Sequence, residues 1–243
     1  MIRLEDINKN FNGKSVLKGI SAEFLPGVIN LIIGASGGGK SVLVKSMVGL
    51  EVPDSGKVFF NDLDFHNLDY SKKQSLRKEI GMLFQGTALF DSLTVEENVE
   101  FPLLMFSNYS KEERMDKVNS CLAKVNLVNV NKKFHSEISG GMKKRVGIAR
   151  AIVMDINYLF CDEPNSGLDP LTARVIDELL KEITQEYHIT TIINSHDMKT
   201  VKDIGEHIFF MHQGQKWWEG SRENLPMGQA SNPELNAFVK ASF

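Results

Sequence analysis

An eight-residue stretch, GASGGGKS at residues 34–41, has the composition and spacing of a phosphate-binding loop. It matches the pattern G-x-x-x-x-G-K-[ST], and it follows the apolar run VINLII, which predicts a buried strand. Glycines let the backbone turn tightly and bring its N–H groups onto phosphate oxygens, and a following helix N-terminus adds a favourable dipole. Lys40 can reach the β- and γ-phosphates, and the Ser41 hydroxyl can ligate Mg²⁺. The residues expected to bind the phosphates are Gly34, Ala35, Ser36, Gly37, Gly38, Gly39, Lys40 and Ser41.

Two carboxylates follow a second apolar run, in the sequence YLFCDEP at residues 158–164. Asp162, at the end of a predicted strand, can hold Mg²⁺ as the acidic partner of a phosphate loop. Glu163 can accept a proton from a water molecule that attacks the γ-phosphate. A charged pair also opens many ordinary loops, but the phosphate loop upstream favours the catalytic interpretation. Hydrolysis of a nucleoside triphosphate is therefore the predicted chemistry.

A second serine–glycine stretch, SEISGGMKKR at residues 136–145, stands immediately before a predicted helix. One nucleotide needs one phosphate-binding loop, so this stretch indicates either a second ligand or a site assembled from two copies of the chain. The run Lys143-Lys144-Arg145 is compatible with nucleic-acid binding. The preferred interpretation is a solvated helix face that binds no nucleic acid.

Composition restricts the class of protein. The 243 residues carry 28 basic and 31 acidic side chains, and a net charge of −3 gives no strong field for nucleic acid or anionic lipid. Cys121 and Cys161 lack metal-ligand spacing, which is typical of a reduced, cytosolic protein. The N-terminus has no apolar signal region, and no apolar run reaches the roughly 20 residues that span a bilayer. A function at a membrane would therefore require a membrane-spanning partner.

The elements that must position these residues alternate between strands and helices. Strands are predicted at 2–7, 15–24, 28–33, 57–60, 80–84, 158–161 and 189–194, with a hairpin at 207–219. Helices are predicted from Gly39 to about Leu50, over 110–126, after Gly141, after the cap Asp169 and from about Asp197. The pattern predicts an α/β fold with a parallel or mixed core sheet flanked by helices. An antiparallel part comes first, and a helical subdomain is inserted at about 86–150.

Local signals add detail to three of these elements. Asn12-Gly13 predicts a hairpin turn between the first two strands. Ser110 and Glu113 form a capping box for the helix at 110–126. Asp169 and Pro170 open a further helix, and its buried stripe is expected to consist of Leu171, Val175, Leu179 and Ile183.

The order of motifs resembles the ATP-binding subunit of ABC transporters. Along the chain come the phosphate loop, the glutamine of LFQG, SGG, DEP, GLDP and a histidine after an apolar strand, and the match covers about residues 1–220. The resemblance implies a P-loop NTPase fold of the ABC type that hydrolyses ATP with Mg²⁺. It implies a nucleotide-binding domain over 1–225 and a tail helix over 226–243.

The resemblance also implies roles for single residues. Phe11 falls where the family has an aromatic that stacks on adenine, although an ordinary strand-end phenylalanine is the alternative. Gln85 matches a glutamine that contacts Mg²⁺ or the attacking water and senses the membrane partner. Asp169 matches an aspartate that communicates between two sites, and His196 matches a histidine that contacts the γ-phosphate.

The family pattern gives the second serine–glycine stretch a partner. Ser139, Gly140 and Gly141 match the signature loop, which in the family closes on the ATP held by a second copy, head to tail. A homodimer with two shared ATP sites is therefore implied. The signature here is ISGGM, where many relatives have LSGGQ, so Met142 removes an amide near the ribose.

The stretch LFQGTALFDSLTVEENVEFPL at 83–103 bears on the substrate. In transporter ATPases this region forms the groove that receives a helix of the membrane permease. Together with SGGM it resembles the ATPases of Mla and related MCE-type systems, which move phospholipid between the bacterial inner and outer membranes with a permease and an MCE-domain lipid-binding protein. The resemblance implies a peripheral location on the cytoplasmic side of the inner membrane. ATPases for amino-acid import or lipoprotein release are the alternatives, followed by a soluble ABC clamp.

The C-terminal segment SNPELNAFVKASF predicts a short amphipathic helix. Asn232 is the expected N-cap, and Leu235, Phe238 and Val239 share one face. That face either packs on its own domain or reaches across to a partner subunit.

Overall fold

The computed structural model of the chain describes residues 1–225 and 233–241. In these ranges the strands are β1 Ile2–Phe11, β2 Lys14–Phe24, β3 Ile29–Ile33, β4 Ser55–Phe60, β5 Leu63–Asp64, β6 Ile80–Leu83, β7 Tyr158–Asp162, β8 Thr190–Ser195, β9 His207–His212 and β10 Gln215–Gly220. The helices are α1 Lys40–Met47, α2 Tyr70–Lys78, α3 Val95–Phe106, α4 Lys111–Lys124, α5 Gly140–Ile152, α6 Pro170–Tyr187, α7 Met198–Ile204 and α8 Pro233–Ala241. Helix α2 is an element that the sequence analysis missed.

The central sheet has the strand order β10-β9-β3-β8-β7-β6 among the described residues. Strands β6, β7, β8, β3 and β9 pair in parallel, and β10 pairs antiparallel with β9. Strands β3, β7 and β8 are buried along their whole length, which is typical of central strands in a parallel sheet with both faces covered. The predicted α/β fold of the P-loop NTPase type is confirmed.

Alternation along β3 divides the interior into two cores. Ile32 packs with helix α1 and the N-terminal sheet, whereas Leu31 and Ile33 pack with the helices on the opposite face. Because β3, β7 and β8 are adjacent and parallel, their carboxyl ends lie at the same edge of the sheet. Ile33 pairs with Ser195 and Asp162 with Asn194, so the loops that leave these strands start side by side.

The N-terminal sheet is antiparallel, in the order β2-β1-β4-β5. The predicted hairpin is confirmed, with Asn12 and Gly13 both at positive φ, +49° and +78°. Asparagine and glycine tolerate this left-handed conformation better than other residues, which is why the pair predicted the turn.

Helices α3, α4 and α5 fill the segment between β6 and β7 and pack on one another. The predicted capping box of α4 is present, since Glu113 N–H donates to Ser110 Oγ and Ser110 N–H donates to Glu113 Oε2. The buried face of α4 contains Val118 and Leu122. The separate subdomain over 86–150 and the domain limit at 225 stay predictions.

The expected buried stripe of α6 is half wrong. Asp169 caps the helix and Leu179 and Ile183 are buried, but Leu171 is 80% exposed and Val175 is 46% exposed. The buried face contains Ile176, Leu179, Leu180 and Ile183, and Leu171 and Val175 lie off this face because residues four apart drift by about 40° per step around a helix of 3.6 residues per turn. A stripe of every fourth residue located the helix but did not follow its buried face.

Helix α8 packs on its own chain. Leu235 is fully buried in the larger core, and the Phe238 ring centroid lies 5.6 Å from that of Phe210 on β9. This is the first of the two arrangements predicted for the tail. Asn232 and the side chain of Val239 lie outside the described residues. In the ranges 1–225 and 233–241, the structure contains no helix with the length and apolar character to cross a membrane.

Candidate functional site

The phosphate loop connects β3 to α1 in the conformation that its glycines predict. Gly34 has φ +147°, and a Cβ there would overlap the carbonyl oxygen of Met211. Gly39 has φ +96° at the N-cap of α1, where a Cβ would lie 2.9 Å from the carbonyl oxygen of Val16. A cavity of about 200 Å³ opens beside the loop. Its lining consists of Val16, Ser36, Gly37, Gly39, Lys40, Ser41, Val42 and Glu163.

Lys40 is buried in this loop, and its ammonium group already has partners. The Nζ atom donates to the carbonyl oxygens of Gly34, at 2.8 Å, and Ala35, at 3.0 Å. Burial lowers the pKa of Lys40, and the carboxylates of Glu163 and Asp162 act in the opposite direction. The ammonium group is thus held at the loop by neutral carbonyl oxygens. Phosphate oxygens could take their place and would form stronger, charge-assisted hydrogen bonds.

Ser41 and Asp162 form an oxygen-rich pair. The Ser41 hydroxyl donates to Asp162 Oδ1 at 3.0 Å, and Asp162 is the buried last residue of β7. Hydroxyl and carboxylate oxygens are ligands that Mg²⁺ prefers, so this pair fits the metal. Among the described residues, no cluster of three His, Cys, Asp or Glu side chains is placed to hold a metal. The remaining ligands would come from the nucleotide and water, as is usual for Mg²⁺.

Glu163 leaves the strand in an unusual backbone conformation. Its φ is +48°, and a non-glycine residue in the left-handed region costs about 1–2 kcal/mol. The Glu163 N–H donates to two acceptors of Asn194, the carbonyl oxygen at 3.1 Å and the side-chain Oδ1 at 3.0 Å. These bonds offset the strain and direct the Glu163 side chain into the phosphate-loop cavity.

The structure brings Gln85, Glu163 and His196 together. Gln85 Nε2 donates to Glu163 Oε2 at 2.9 Å, and His196 Nδ1 lies 3.1 Å from Glu163 Oε1. Gln85 Nε2 also lies 3.3 Å from Ser166 Oγ, which accepts from it. Both carboxylate oxygens of the predicted base therefore have a neighbour from another predicted site residue. The contact of Gln85 with Mg²⁺ stays a prediction, because its amide is bonded to Glu163 and Ser166 instead.

The expected solvated face of the basic run is wrong for its central residue. Lys144 is 5% exposed, and its ammonium group donates to the carbonyl oxygen of Gln85. Burial lowers the pKa of Lys144, although Cys161, Glu163 and Asp162 act in the opposite direction. Helix α5 turns this side chain inward, where it holds the backbone of the segment LFQG at residues 83–86, called here the glutamine loop.

The signature residues lie apart from the phosphate loop of the same chain. Ser139 caps α5, accepting from Met142 N–H at 3.3 Å. A Cβ on Gly141 would lie 2.5 Å from Thr172 Cγ2, so the first turns of α5 and α6 are in close contact. Within the described residues, the lining of the phosphate-loop cavity includes no member of Ser139–Gly141. One copy of the chain does not bring its two glycine stretches together.

Asp169 and Phe11 occupy two further edges of this region. Hydrogen bonds from Thr172 and Leu171 lower the pKa of Asp169, and through these bonds Asp169 caps α6. Phe11 ends β1 and is 39% exposed, with Lys9 Nζ 5.2 Å from its ring centroid. The hairpin that carries Phe11 contacts the phosphate loop through Val16. An exposed aromatic side chain on that hairpin suits stacking on a base, and the role stays a prediction.

A groove of about 350 Å³ lies where the sequence analysis expected the permease to dock. Residues of the stretch at 83–103 line it, including Phe84, Phe90 and Phe101, and Arg77 and Arg150 add positive charge. The rings of Phe90 and Phe101 are 4.8 Å apart and form an apolar wall.

Sequence reasoning missed two polar neighbours of the site, Asn194 and Ser166. Asn194 lies in β8, and its Nδ2 donates to Ser41 Oγ at 3.3 Å in addition to its contact with Glu163. An amide in the otherwise apolar part of the strand IINS was the available signal, because buried polar groups require partners.

Comparison with known proteins agrees with this geometry. The family model described as ABC transporter matches residues 17–166. The methionine import ATP-binding protein MetN of Mannheimia succiniciproducens is 38% identical over 250 residues, which are 100% of this chain and 71% of that protein. The chloroplastic protein TRIGALACTOSYLDIACYLGLYCEROL 3 of Arabidopsis thaliana is 33% identical over 258 residues, covering 100% of this chain and 74% of that protein. The chain spans 60% to 71% of the length of methionine import relatives that it matches.

A solved structure supports the fold over nearly the whole chain. The dimeric bacterial ABC transporter cassette MJ0796 superposes with a TM-score of 0.84 at 29% identity, covering 91% of this chain and 99% of that one. The family match spans the phosphate loop, the glutamine loop, the signature and the acidic pair whose contacts are described above. The chain therefore belongs to the ABC transporter family as an ATP-binding subunit, and it is an ATPase.

Proposed function

We propose that this chain hydrolyses ATP in the phosphate-loop cavity, with Glu163 as the general base, and that it powers a membrane permease. The observation that carries the chemistry is the position of the Glu163 carboxylate, which lines the cavity and contacts Gln85 and His196. A base must lie within hydrogen-bond reach of the water that it deprotonates.

Each polar residue at the cavity then has a separate role in ATP binding or hydrolysis. Lys40 exchanges the carbonyls of Gly34 and Ala35 for phosphate oxygens when ATP enters. Ser41 and Asp162 would hold Mg²⁺, which would neutralise charge on the phosphates. Glu163 takes the proton of the attacking water, and His196 is placed to contact the γ-phosphate.

The separation of the two glycine stretches supports a homodimer. Ser139–Gly141 are at the N-terminus of a helix, which favours an anion, yet they do not line the cavity of their own chain. The related cassette is dimeric. We infer a head-to-tail homodimer in which the signature of one copy completes the ATP site of the other.

The aromatic groove supports docking of a permease helix. An apolar cleft with a cationic rim suits an amphipathic helix that presents apolar and acidic side chains. Docking there would place the chain peripherally on the cytoplasmic side of the inner membrane.

Two substrate classes remain for the transporter. Relatives named methionine import ATP-binding proteins favour the amino-acid importer, which was the alternative in the sequence analysis, over the phospholipid transporter expected first. Phospholipid is the second candidate. It is favoured by the stretch at 83–103 and by the Arabidopsis relative, which is named after a galactolipid and which the whole chain matches. Only a phospholipid transporter of the MCE type would include an MCE-domain lipid-binding protein as a partner.

Affinity purification of the tagged full chain from detergent-solubilised native membranes separates these candidates. Co-purification with a permease and a soluble amino-acid-binding protein would support amino-acid import. A permease with an MCE-domain protein and bound phospholipid, identified by mass spectrometry, would support the lipid reading. Absence of any permease would contradict the transporter proposal.

A matched pair of variants tests the groove in the same experiment. Phe106→Glu places a charge on an exposed groove residue, and Leu50→Glu does so at an exposed residue outside the groove lining. We expect only Phe106→Glu to lose the permease. Equal retention of the permease by both variants would place the docking surface elsewhere.

A further inference from the structure

Asn194 is the polar side chain most deeply placed beside the catalytic groups. It lies in β8 between parallel strands β3 and β7 and is 0% exposed. Ile192 and Ile193 precede it and are equally buried. A buried amide in such a strand loses its bonds to water, so its partners determine what it does for the protein.

Both ends of the Asn194 amide contact residues of the ATP site. Oδ1 accepts from the Glu163 N–H at 3.0 Å, and Nδ2 donates to Ser41 Oγ at 3.3 Å. Neither contact would form with an apolar residue at this position. One side chain therefore joins the phosphate loop to the backbone of the predicted general base.

The contact with Ser41 restricts the direction of its hydroxyl. Ser41 Oγ gives its proton to Asp162 Oδ1 and uses one lone pair for Asn194 Nδ2. A hydroxyl oxygen has two lone pairs, so one stays available for a metal ion. The amide thus fixes the rotation of the hydroxyl about its Cβ–Oγ bond, with the proton on Asp162 Oδ1.

The contact with Glu163 restricts the base. Glu163 has φ +48°, a conformation that most side chains avoid, and its N–H is shared by the Asn194 carbonyl and Oδ1. Without Oδ1 the N–H keeps one acceptor, and the backbone is free to relax away from the left-handed region. The Glu163 carboxylate would then leave its place beside Gln85 and His196.

We propose that Asn194 is a positioning residue for ATP hydrolysis, which sets the Ser41 hydroxyl and the Glu163 backbone together through one amide. It acts through these two residues. The inference rests on the roles that the proposed function gives to Ser41 and Glu163.

A matched pair of substitutions distinguishes positioning from folding. Asn194→Val removes both contacts and suits a buried strand. Asn30→Val makes the same change at a second fully buried asparagine, on β3, whose amide contacts the backbone of Leu25, Val28 and Thr191 and the ring of His207. Asn30 contacts no residue of the ATP site through these bonds, so it reports the cost of losing a buried amide alone.

Purified full-length variants should be compared in three measurements. These are the melting temperature, kcat and KM for ATP, and the affinity for trinitrophenyl-ATP with and without Mg²⁺. For Asn194→Val we expect kcat to fall about tenfold, the effect of losing one hydrogen bond that counts in the transition state. Binding without Mg²⁺ should stay at the wild-type level, and the gain in affinity on adding Mg²⁺ should shrink. For Asn30→Val we expect a lower melting temperature with wild-type kcat and Mg²⁺ response.

Asn194→Asp provides a second test that keeps the volume of the side chain. It retains an acceptor for the Glu163 N–H but replaces the donor to Ser41 with a further carboxylate oxygen. We expect a lower kcat together with a changed Mg²⁺ concentration at half-maximal rate. This variant decides the question if Asn194→Val does not fold.

The proposal is overturned if the Asn194 variants keep the wild-type kcat and Mg²⁺ response, whatever their melting temperatures. Glu163→Gln, measured alongside, separates this result from the proposed function. Normal turnover in Glu163→Gln would remove the base assignment and with it the Glu163 half of the inference. The Mg²⁺-dependent binding of Asn194→Val would still test the Ser41 half.

Discussion

Asp177 gives the fold a pH dependence that can be measured. It lies on α6, is 3% exposed, and accepts hydrogen bonds from Asn165 Nδ2 at 2.8 Å and Thr200 Oγ1 at 3.0 Å. Burial raises the pKa of Asp177 from 3.8 to about 6, and Asp197 and Asp203 act in the same direction, while the two hydrogen bonds lower it. The folded state therefore holds this proton more tightly than the unfolded chain does.

The sign and size of the effect follow from proton linkage. The folded state binds more protons than the unfolded state between pH 3.8 and about 6, so the free energy of unfolding falls as the pH rises through this window. A shift of about two units corresponds to about 3 kcal/mol in total at 1.36 kcal/mol per unit. Roughly 1.5 kcal/mol of that loss falls between pH 5 and 8.

Asp177→Asn removes the titration and keeps the size of the side chain. Asn165 Oδ1 is buried without a partner among the described residues, and a turned Asn165 amide can accept from the new amide group. We expect the variant to gain about 1.5 kcal/mol relative to wild type between pH 5 and 8. Urea unfolding followed by circular dichroism, at steps of pH, measures this difference.

Two further variants serve as controls for that measurement. Asp62→Asn changes an exposed carboxyl and should give a profile parallel to wild type. Thr200→Val removes a donor that lowers the pKa of Asp177, so the window should move to higher pH. Parallel wild-type and Asp177→Asn profiles across pH 5 to 8 would refute the reasoning.

The remaining predictions concern the ATP site. Lys40→Ala should abolish ATP binding or turnover, measured by nucleotide binding and phosphate release, because no other cation of the loop replaces its contacts; retained turnover would contradict this. Glu163→Gln should bind ATP but hydrolyse it about 10²–10⁴-fold more slowly, and normal turnover would exclude Glu163 as the base. Gly141→Ala should lower stability by about 1–3 kcal/mol through overlap with the Thr172 methyl. Thr172→Ser removes that methyl and keeps the hydroxyl, so the double variant should recover in thermal unfolding, and failure to recover would place the cost elsewhere. Lys144→Met removes the hydrogen bond to the Gln85 carbonyl oxygen and should lower kcat several-fold, as expected for a bond of about 1 kcal/mol. An unchanged kcat would show that this contact has no part in catalysis.

Local sequence determined the elements of the site and most of its chemistry. The phosphate loop, the acidic pair after β7 and the capping residue Asp169 each depend on a few consecutive residues. Glycines that permit positive φ, a strand that ends in carboxylates and a side chain that caps a helix are properties of short segments. The α/β fold followed in the same way from the alternation of apolar strands with helices.

Tertiary packing decided which side of each element is covered. Leu171 and Val175 continue the apolar period of α6 and are exposed, whereas Lys144 lies in a basic run and is buried. A spacing of four residues drifts by about 40° per step around a helix, and sequence spacing does not show which residues of a basic run face the core. Helix α2 was missed because its nine residues YSKKQSLRK contain a single buried side chain, Leu76.

The sequence by itself therefore determined that this chain is an ATPase, and it predicted which loops form the site. Only the tertiary structure decided how these loops are joined. Asn194 is far along the chain from both Ser41 and Glu163, and it meets them because parallel strands bring their carboxyl ends to one edge of the sheet. The signature residues are held elsewhere, because the first turn of their helix packs against α6. Contacts between distant segments depend on strand order and register, which no short stretch of sequence contains.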